Sequence, residues 1–163
     1  MLVRFSKRNG TPVLTCVRED GTTTWSKSAH GAFFGPHDLM HYAVETTLGM
    51  RQAFFGLIAA GWDIATFAER GAAARLPAEA LLAEHVVNVL LQEQAAGSAS
   101  EAGAFNRTLA AAMAGAPGVA RLRGLTEGEL SQIRERFGEL LGRFRALGAD
   151  GSLELPFPQE SPG

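Results

Sequence analysis

A group of side chains that could bind a metal ion or move a proton lies in the segment GPHDLMHYAVETTLG, residues 35–49. His37, His41 and Glu45 follow one another at four-residue intervals. Each interval turns an α-helix by only about 40°, so in a helix all three side chains share one face. Two histidines one helical turn apart can bind the same divalent ion, most often zinc. The spacing therefore predicts a divalent-metal site, with zinc as the first candidate and His37 and His41 as ligands.

Two carboxylates beside these histidines are candidate catalytic bases. Glu45 lies about 12 Å along the helix axis from His37, at about 1.5 Å per residue. A shared ion would be strained at that distance, so we expect Glu45 to orient His41 or to act as a base. Asp38 directly follows His37 and is the second candidate base. A structural role is its alternative, because a carboxylate in the first turn of a helix gains about 0.3–1 kcal/mol from the helix dipole.

A third metal ligand has to come from outside this segment. His30 precedes the predicted helix closely enough to fold over its start, and His85 lies on a later predicted helix. Either could instead be a histidine whose ring nitrogens bond to protein groups in the core. Glu84 and Asp63 are further candidates for the third position. The predicted set of histidine ligands is His37, His41, His85 and His30.

The string HDLMH, residues 37–41, resembles the HExxH signature of zinc metallopeptidases, with aspartate in place of glutamate. In that family the two histidines bind zinc and the acid activates a water molecule held by the metal. The resemblance implies that His37 and His41 are zinc ligands and that Asp38 is the base. Because aspartate is one methylene shorter than glutamate, its carboxylate would lie further from that water molecule.

A longer segment, FFGPHDLMHYAVETTLGMRQAFFGLIAAGWDI at residues 33–64, is similar to the central part of a family of small bacterial proteins. That family carries the pattern HDLxHYxVE, followed by an apolar helix and a Gly-Trp pair, and no activity is assigned to it. Together with the preceding hairpins, the resemblance covers residues 1–65. It implies that this segment folds as a unit, and it implies no catalytic role.

Strands are predicted on the N-terminal side of the histidine segment. Apolar and polar residues alternate within residues 2–27, and the pairs Asn-Gly at 9–10 and Asp-Gly at 20–21 interrupt the alternation. These pairs favour tight hairpin turns because both residues tolerate positive φ. We therefore expect a three-stranded antiparallel meander. The same alternation at residues 152–155 predicts a fourth strand at the edge of the meander.

Helices are predicted between the meander and the last strand. Apolar residues at helical spacing give the ranges 36–48, 51–60, 77–94, 101–114 and 127–147. The last range follows a capping box in which Thr126 and Glu129 can each satisfy a free backbone donor. The fold class is therefore α+β, a small antiparallel sheet with about five helices. We expect one domain over residues 1–155 and a flexible tail over residues 156–163.

Composition and charge exclude several classes of function. The 163 residues include 15 Lys and Arg and 17 Asp and Glu, a formal net charge of -2. Such a chain lacks the basic field of a dedicated nucleic-acid binder. The single cysteine, Cys16, excludes an internal disulfide framework and a cysteine-based zinc cluster. Without a signal-peptide pattern or an apolar run of about 20 residues, we expect a cytoplasmic protein without membrane association.

Two hypotheses about function follow. The first is a metal-dependent hydrolase that acts on a small molecule or a peptide, with its site on the helix at residues 36–48. The second is a non-catalytic structural or interaction protein in which the His, Asp and Glu side chains form a buried polar network. In the second hypothesis the apolar stripe on the helix at residues 127–147 pairs with a second copy to form a homodimer. Packing of that stripe inside one chain is its alternative.

Overall fold

The computed structural model describes residues 1–27, 34–115 and 123–158. These residues form a four-stranded antiparallel sheet and five α-helices, which confirms the predicted α+β class. The strands are β1 (Leu2–Arg8), β2 (Thr11–Val17), β3 (Thr23–Lys27) and β4 (Ser152–Pro156). The helices are α1 (Phe34–Leu48), α2 (Phe54–Ala59), α3 (Ala78–Ala96), α4 (Ala102–Ala112) and α5 (Glu127–Arg145). Two short 3-10 helices, Ile64–Ala68 and Ala72–Arg75, connect α2 to α3.

The sheet has the strand order β3-β2-β1-β4. The turn between β1 and β2 contains only Asn9 and Gly10, because Arg8 pairs directly with Thr11. Both turn residues have positive φ, 50° for Asn9 and 78° for Gly10, as a type I′ hairpin turn requires. Strand β4 pairs antiparallel with β1 at the other edge. The predicted meander and the predicted fourth strand are therefore both confirmed.

Helix α1 is the centre of the molecule and contacts α2, α3, α5 and β2. The sheet packs on it through Phe5, whose ring meets the Tyr42 ring edge-on with the centroids 6.2 Å apart. The Tyr42 hydroxyl donates a hydrogen bond of 2.6 Å to the carbonyl of Pro156 in β4. Leu39 and Val44 are fully buried on the same helix. A polar side chain on this crowded helix is therefore costly unless it has a partner.

Helix α5 begins with the predicted capping box, in which the Thr126 hydroxyl and the Glu129 carboxylate bond reciprocally to backbone N–H groups. It packs against α1 within the same chain. Its apolar stripe is buried, as shown by Leu130, Ile133, Phe137, Leu140 and Phe144. The stripe that suggested pairing with a second copy is therefore used in the core of one chain. In the described ranges, no helix combines the length and the apolar content needed to cross a membrane.

Two helices begin two or three residues away from their predicted starts, whereas α3 and α4 each begin one residue later than predicted. Helix α1 begins at Phe34, two residues early, so Asp38 lies beyond its first turn. The helix dipole acts mainly within that first turn, and it therefore does not account for this aspartate. Helix α2 begins at Phe54 because the preceding stretch is held as a turn. There the backbone N–H of Arg51 donates a hydrogen bond of 2.6 Å to the Glu79 carboxylate.

Packing at the C-terminal side continues past the predicted end of the domain at residue 155. Pro156 is the last residue of β4. The Phe157 side chain is buried in the core, and the Phe157 backbone N–H donates a hydrogen bond of 2.8 Å to the carbonyl of Met1. The large apolar ring explains why the packed chain extends this far. Residues 159–163 of the predicted tail lie outside the described residues.

Candidate metal centre

Two histidines on α1 and one glutamate on α3 form a convergent cluster. The rings of His37 and His41 lie on successive turns with centroids 4.7 Å apart. The Nε2 atom of His41 is 3.0 Å from Oε2 of Glu84, and the Nε2 atom of His37 is 3.6 Å from Oε1 of Glu84. One potential ligand atom from each residue lies within 4.8 Å of the others. The two imidazoles therefore aim the same ring nitrogen at one carboxylate.

These separations suit a single divalent ion. In a tetrahedral zinc site the ligand nitrogens and oxygens lie about 2.0–2.2 Å from the ion, so two ligand atoms are about 3.3 Å apart. The nitrogen–oxygen distances of 3.0 and 3.6 Å in the structure lie on either side of that value. Two imidazoles and one carboxylate are a donor set found in catalytic zinc sites and in non-haem iron sites. His37, His41 and Glu84 could therefore hold a metal ion with small side-chain adjustments.

A carboxylate also lies behind each imidazole, on the side away from Glu84. The Nδ1 atom of His37 is 3.5 Å from Oδ1 of Asp38, and the Nδ1 atom of His41 is 3.4 Å from Oε1 of Glu45. When Nε2 binds a metal ion, a carboxylate in this position stabilises the proton on Nδ1. The tautomer with this proton leaves the Nε2 lone pair available for a metal ion, and the pairing is typical of histidine ligands.

Glu45 lies on α1, and its side chain is fully buried where α1 faces the start of α2. Its Oε2 atom accepts hydrogen bonds of 2.9 Å from the backbone N–H of Phe55 and 3.2 Å from that of Gly56. These donors lie in the first turn of α2, where backbone N–H groups lack partners within the helix. Glu45 thus joins the start of α2 to the ring of His41. This placement suits the orienting role expected for Glu45 better than contact with a substrate.

The cluster has unusual proton affinities in the absence of a metal ion. Burial lowers the pKa of His41, but the facing carboxylates of Glu45 and Glu84 outweigh it and raise this pKa to about 9. Burial likewise opposes protonation of His37, and Asp38 and Glu84 raise its pKa above the ordinary value. The two histidines in turn hold the pKa of Glu84 far below its usual range. A metal ion would therefore have to displace a proton from His41 near neutral pH.

Glu84 also has a partner on its own helix. The Nδ2 atom of Asn88, one turn further along α3, donates a hydrogen bond of 3.1 Å to Oε1 of Glu84. About half of the Glu84 side chain is exposed, whereas His41 is almost completely buried. The carboxylate therefore lies at the boundary between the protein interior and solvent. This position gives the cluster an open side.

That open side faces a cleft with a volume of about 620 Å³. Besides the three residues of the cluster, the cleft is lined by Asp38, by Ser26 and by apolar side chains from the sheet, α2, α3 and the connecting 3-10 helices. The larger apolar ones are Leu14, Trp25, Phe54, Ile64, Phe67, Leu76 and Leu81. The volume is within the range of about 300–1,000 Å³ that is usual for small-molecule sites. A ligand in this cleft could reach the Nε2 side of the histidines.

Two of the other predicted ligands, His85 and Asp63, lie outside the cluster. His85 is half-buried on α3 and is not part of the convergent group. The Asp63 carboxylate pairs with the guanidinium of Arg18 at 3.0 Å. His30 lies outside the described residues. Among the candidates for the third position, Glu84 is the one that the structure brings to the histidine pair.

Nothing local in the sequence distinguishes Glu84 from its neighbour His85. Both residues lie on one helix, and only Glu84 is on the side that faces α1. The contact joins residues 43 positions apart, so it depends on how two helices pack. The spacing of Glu84 and Asn88 on one face of α3 is the available sequence signal, and it indicates a paired carboxylate but no metal site.

No protein-family model, curated protein or solved structure matches this chain. The class of site is therefore defined by its geometry. It consists of two imidazoles and one carboxylate at the wall of an apolar cleft in an α+β domain.

Proposed function

We propose that this protein binds one divalent metal ion, with zinc as the first candidate, between α1 and α3. The ligands are Nε2 of His37, Nε2 of His41 and a carboxylate oxygen of Glu84. The observation that carries the proposal is the convergence of these three groups, within 4.8 Å of one another, on an open cleft. The carboxylates behind both imidazoles support it, because they would stabilise the proton on Nδ1 when Nε2 binds a metal ion.

The proposed reaction class is metal-dependent hydrolysis. Three protein ligands with an open position are typical of catalytic zinc sites, whereas structural sites are closed by four protein ligands. A bound divalent ion supplies a Lewis acid and makes water more acidic at neutral pH. Asp38 lines the cleft and is the proposed general base. Glu45 is the proposed positioning residue for His41, and a cytoplasmic location is proposed for the enzyme.

A second candidate function is a non-catalytic protein in which this cluster is a structural network. Its specific support is that both ring nitrogens of His41 face carboxylates, at 3.0 and 3.4 Å. A protonated His41 imidazole would form ion pairs with both carboxylates, and it needs no metal ion for this. An interaction surface would then have to lie outside the stripe on α5, because that stripe is buried in the chain.

Metal content distinguishes the two candidates. The wild type and the variants His37→Ala, His41→Ala and His85→Ala are loaded with zinc, dialysed and analysed for bound metal. His85→Ala is the matched control, since it removes a histidine next to Glu84 that is not in the cluster. The metal-site proposal expects about one zinc ion per chain in the wild type and in the control, and none in the other two variants.

The structural-network candidate predicts a wild type that keeps no metal ion. If the wild type keeps no zinc, nickel, cobalt or iron, the metal-site proposal is wrong. A melting temperature that falls much further in His37→Ala and His41→Ala than in His85→Ala would then support the structural network. Removing one member of a buried charged network leaves the other groups without partners, which is strongly destabilising.

A further inference from the structure

From the lining of the cleft, we infer that the site takes an elongated apolar molecule with a single carboxylate head group. The head group would lie at the His37–His41–Glu84 cluster and the apolar body against the outer walls. A medium-chain fatty acid is the simplest member of this class. The inference rests on the proposed metal site and names the ligand class for that same site.

The walls provide the first argument. Aromatic rings lead away from the cluster in a row. The His41 and Phe54 ring centroids are 5.6 Å apart, and those of Phe54 and Phe67 are 4.7 Å apart. On the edge strand β3, Trp25 also lines the cleft and is 61% exposed, although it is a large apolar residue. Water contact with so much apolar surface is unfavourable, and an apolar ligand would relieve it.

Charge provides the second argument. Among the described residues that line the cleft, none is Lys or Arg. Phosphate-rich ligands are usually bound by such side chains, so they do not suit this cleft. A divalent ion held by two neutral imidazoles and the Glu84 carboxylate has one net positive charge within this set of three ligands. Asp38, the other acidic residue of the cleft, faces Nδ1 of His37 and not the Nε2 atom that would bind the ion. One carboxylate head group balances that charge, and its oxygens are suitable ligands for the same ion.

The experiment measures binding of octanoate and butyrate to zinc-loaded protein by isothermal titration calorimetry. The two acids share a head group and differ in four methylenes. Each buried methylene strengthens binding by about fourfold. Octanoate should therefore bind on the order of 100-fold more tightly than butyrate when most of its chain is buried. Addition of EDTA should remove most of the octanoate affinity, because the head group then loses its metal ligand.

A matched pair of variants tests the location of the chain. Ala73 lines the cleft, whereas its neighbour Ala74 does not, and both are exposed on the same 3-10 helix. Ala73→Phe should fill part of the cleft and weaken octanoate binding by about tenfold or more. Ala74→Phe should leave octanoate binding unchanged. Both variants should bind zinc as the wild type does.

The outcomes separate this inference from the metal site. If zinc binds but octanoate and butyrate bind equally well, the inference is wrong and the metal site stands. An equal effect of Ala73→Phe and Ala74→Phe on octanoate binding overturns the inference in the same way. If zinc does not bind to the wild type, the proposed function and this inference both fail.

Discussion

At the scale of single residues, the cluster has one carboxylate in front of the histidines and one behind each of them. Glu84 faces both Nε2 atoms, while Asp38 and Glu45 face the Nδ1 atoms of His37 and His41. The two types of carboxylate would have different tasks. The front carboxylate would bind the metal ion, and Glu45 would decide which ring nitrogen of His41 carries a proton. Asp38 would do the same for His37, besides being the proposed general base.

Replacement of the rear carboxylate in Glu45→Gln should lower zinc affinity by about 10–100-fold. The amide oxygen of glutamine can still accept the backbone hydrogen bonds from α2. Its NH₂ group would instead donate to Nδ1 of His41 and move the ring proton to Nε2, the nitrogen needed for the metal ion. Competition with a fluorescent zinc indicator measures this loss.

The matched control for that experiment is Glu79→Gln. Like Glu45, Glu79 accepts a backbone N–H hydrogen bond near the start of α2, here from Arg51. It is not part of the histidine cluster. Zinc affinity should therefore be unchanged in the control. An equal loss in both variants, or no loss in Glu45→Gln, contradicts the orienting role.

In the presence of EDTA, the stability of the protein should depend on the protonation of His41. The folded-state pKa of about 9 is above the unfolded value of about 6.5. Protonation of His41 therefore stabilises the folded state. This contribution is complete at pH values below the unfolded pKa, and it is lost as the pH rises through about 9. The free energy of unfolding of the wild type, relative to His41→Gln, should decrease between pH 6.5 and pH 10.

Urea denaturation at several pH values measures this difference, with His85→Gln as the control variant. Burial raises the folded-state pKa of the Cys16 thiol to about 12. The thiol therefore ionises first in the unfolded state, and this effect on stability is shared by the wild type and the variants and cancels in the difference. A constant difference between the wild type and His41→Gln from pH 6.5 to pH 10 would show that the folded and unfolded states bind the His41 proton equally. Zinc affinity should change in the opposite direction and rise with pH, because zinc competes with protons.

At the scale of elements, α2 positions the cluster although it carries none of its ligands. Its first N–H groups bond to Glu45, and its Phe54 ring lies beside His41. The helix also passes very close to the turn before it. A Cβ atom at Gly56 would be 2.2 Å from the carbonyl oxygen of Arg51. The absence of a side chain at this position lets α2 approach that turn.

Gly56→Ala should therefore destabilise the protein, by about 1–3 kcal/mol. The backbone of Arg51 cannot move away as a flexible side chain would. Gly138→Ala in α5 is the control, since a Cβ atom there meets nothing within 4 Å. It should stabilise the protein by about 0.5–1 kcal/mol, because alanine favours a helix interior over glycine. Urea denaturation of both variants checks the two signs, and equal effects would contradict the close approach.

Local sequence signals predicted the elements well. The Asn9-Gly10 turn and the Thr126–Glu129 capping box both formed as expected, because their chemistry acts over a few residues. The start of α2 was missed because it depends on Glu79, which is distant in the sequence. By contrast, the four-residue spacing of His37 and His41 is a local signal, and it predicts the histidine pair. Its third partner required knowledge of how α1 packs on α3, which no local pattern contains.

At the scale of the whole molecule, the proposed metal site joins two parts of the chain. His37 and His41 belong to the helix that follows the meander, and Glu84 belongs to a helix that starts after two 3-10 helices. A metal ion bound to all three residues would tie α1 to α3. Such an ion would bind the folded protein far better than the unfolded one, so it would stabilise the fold.

Zinc at about 100 times its dissociation constant should stabilise the wild type by about 2.7 kcal/mol. Thermal denaturation in zinc and in EDTA measures this shift. Most of it should disappear in Glu84→Gln, since a neutral amide is a much poorer ligand. His85→Ala should keep the full shift. A shift of equal size in Glu84→Gln and in the wild type would place the zinc elsewhere in the protein.

The proposed function requires that His37, His41 and Glu84 bind one metal ion. Crystals of the zinc-loaded protein, with anomalous diffraction measured at the zinc absorption edge, test it most directly. We expect one strong anomalous peak per chain, about 2.0–2.2 Å from Nε2 of His37, Nε2 of His41 and a carboxylate oxygen of Glu84. A peak at another position, or no peak while the two histidines keep their contacts to carboxylates, would contradict it.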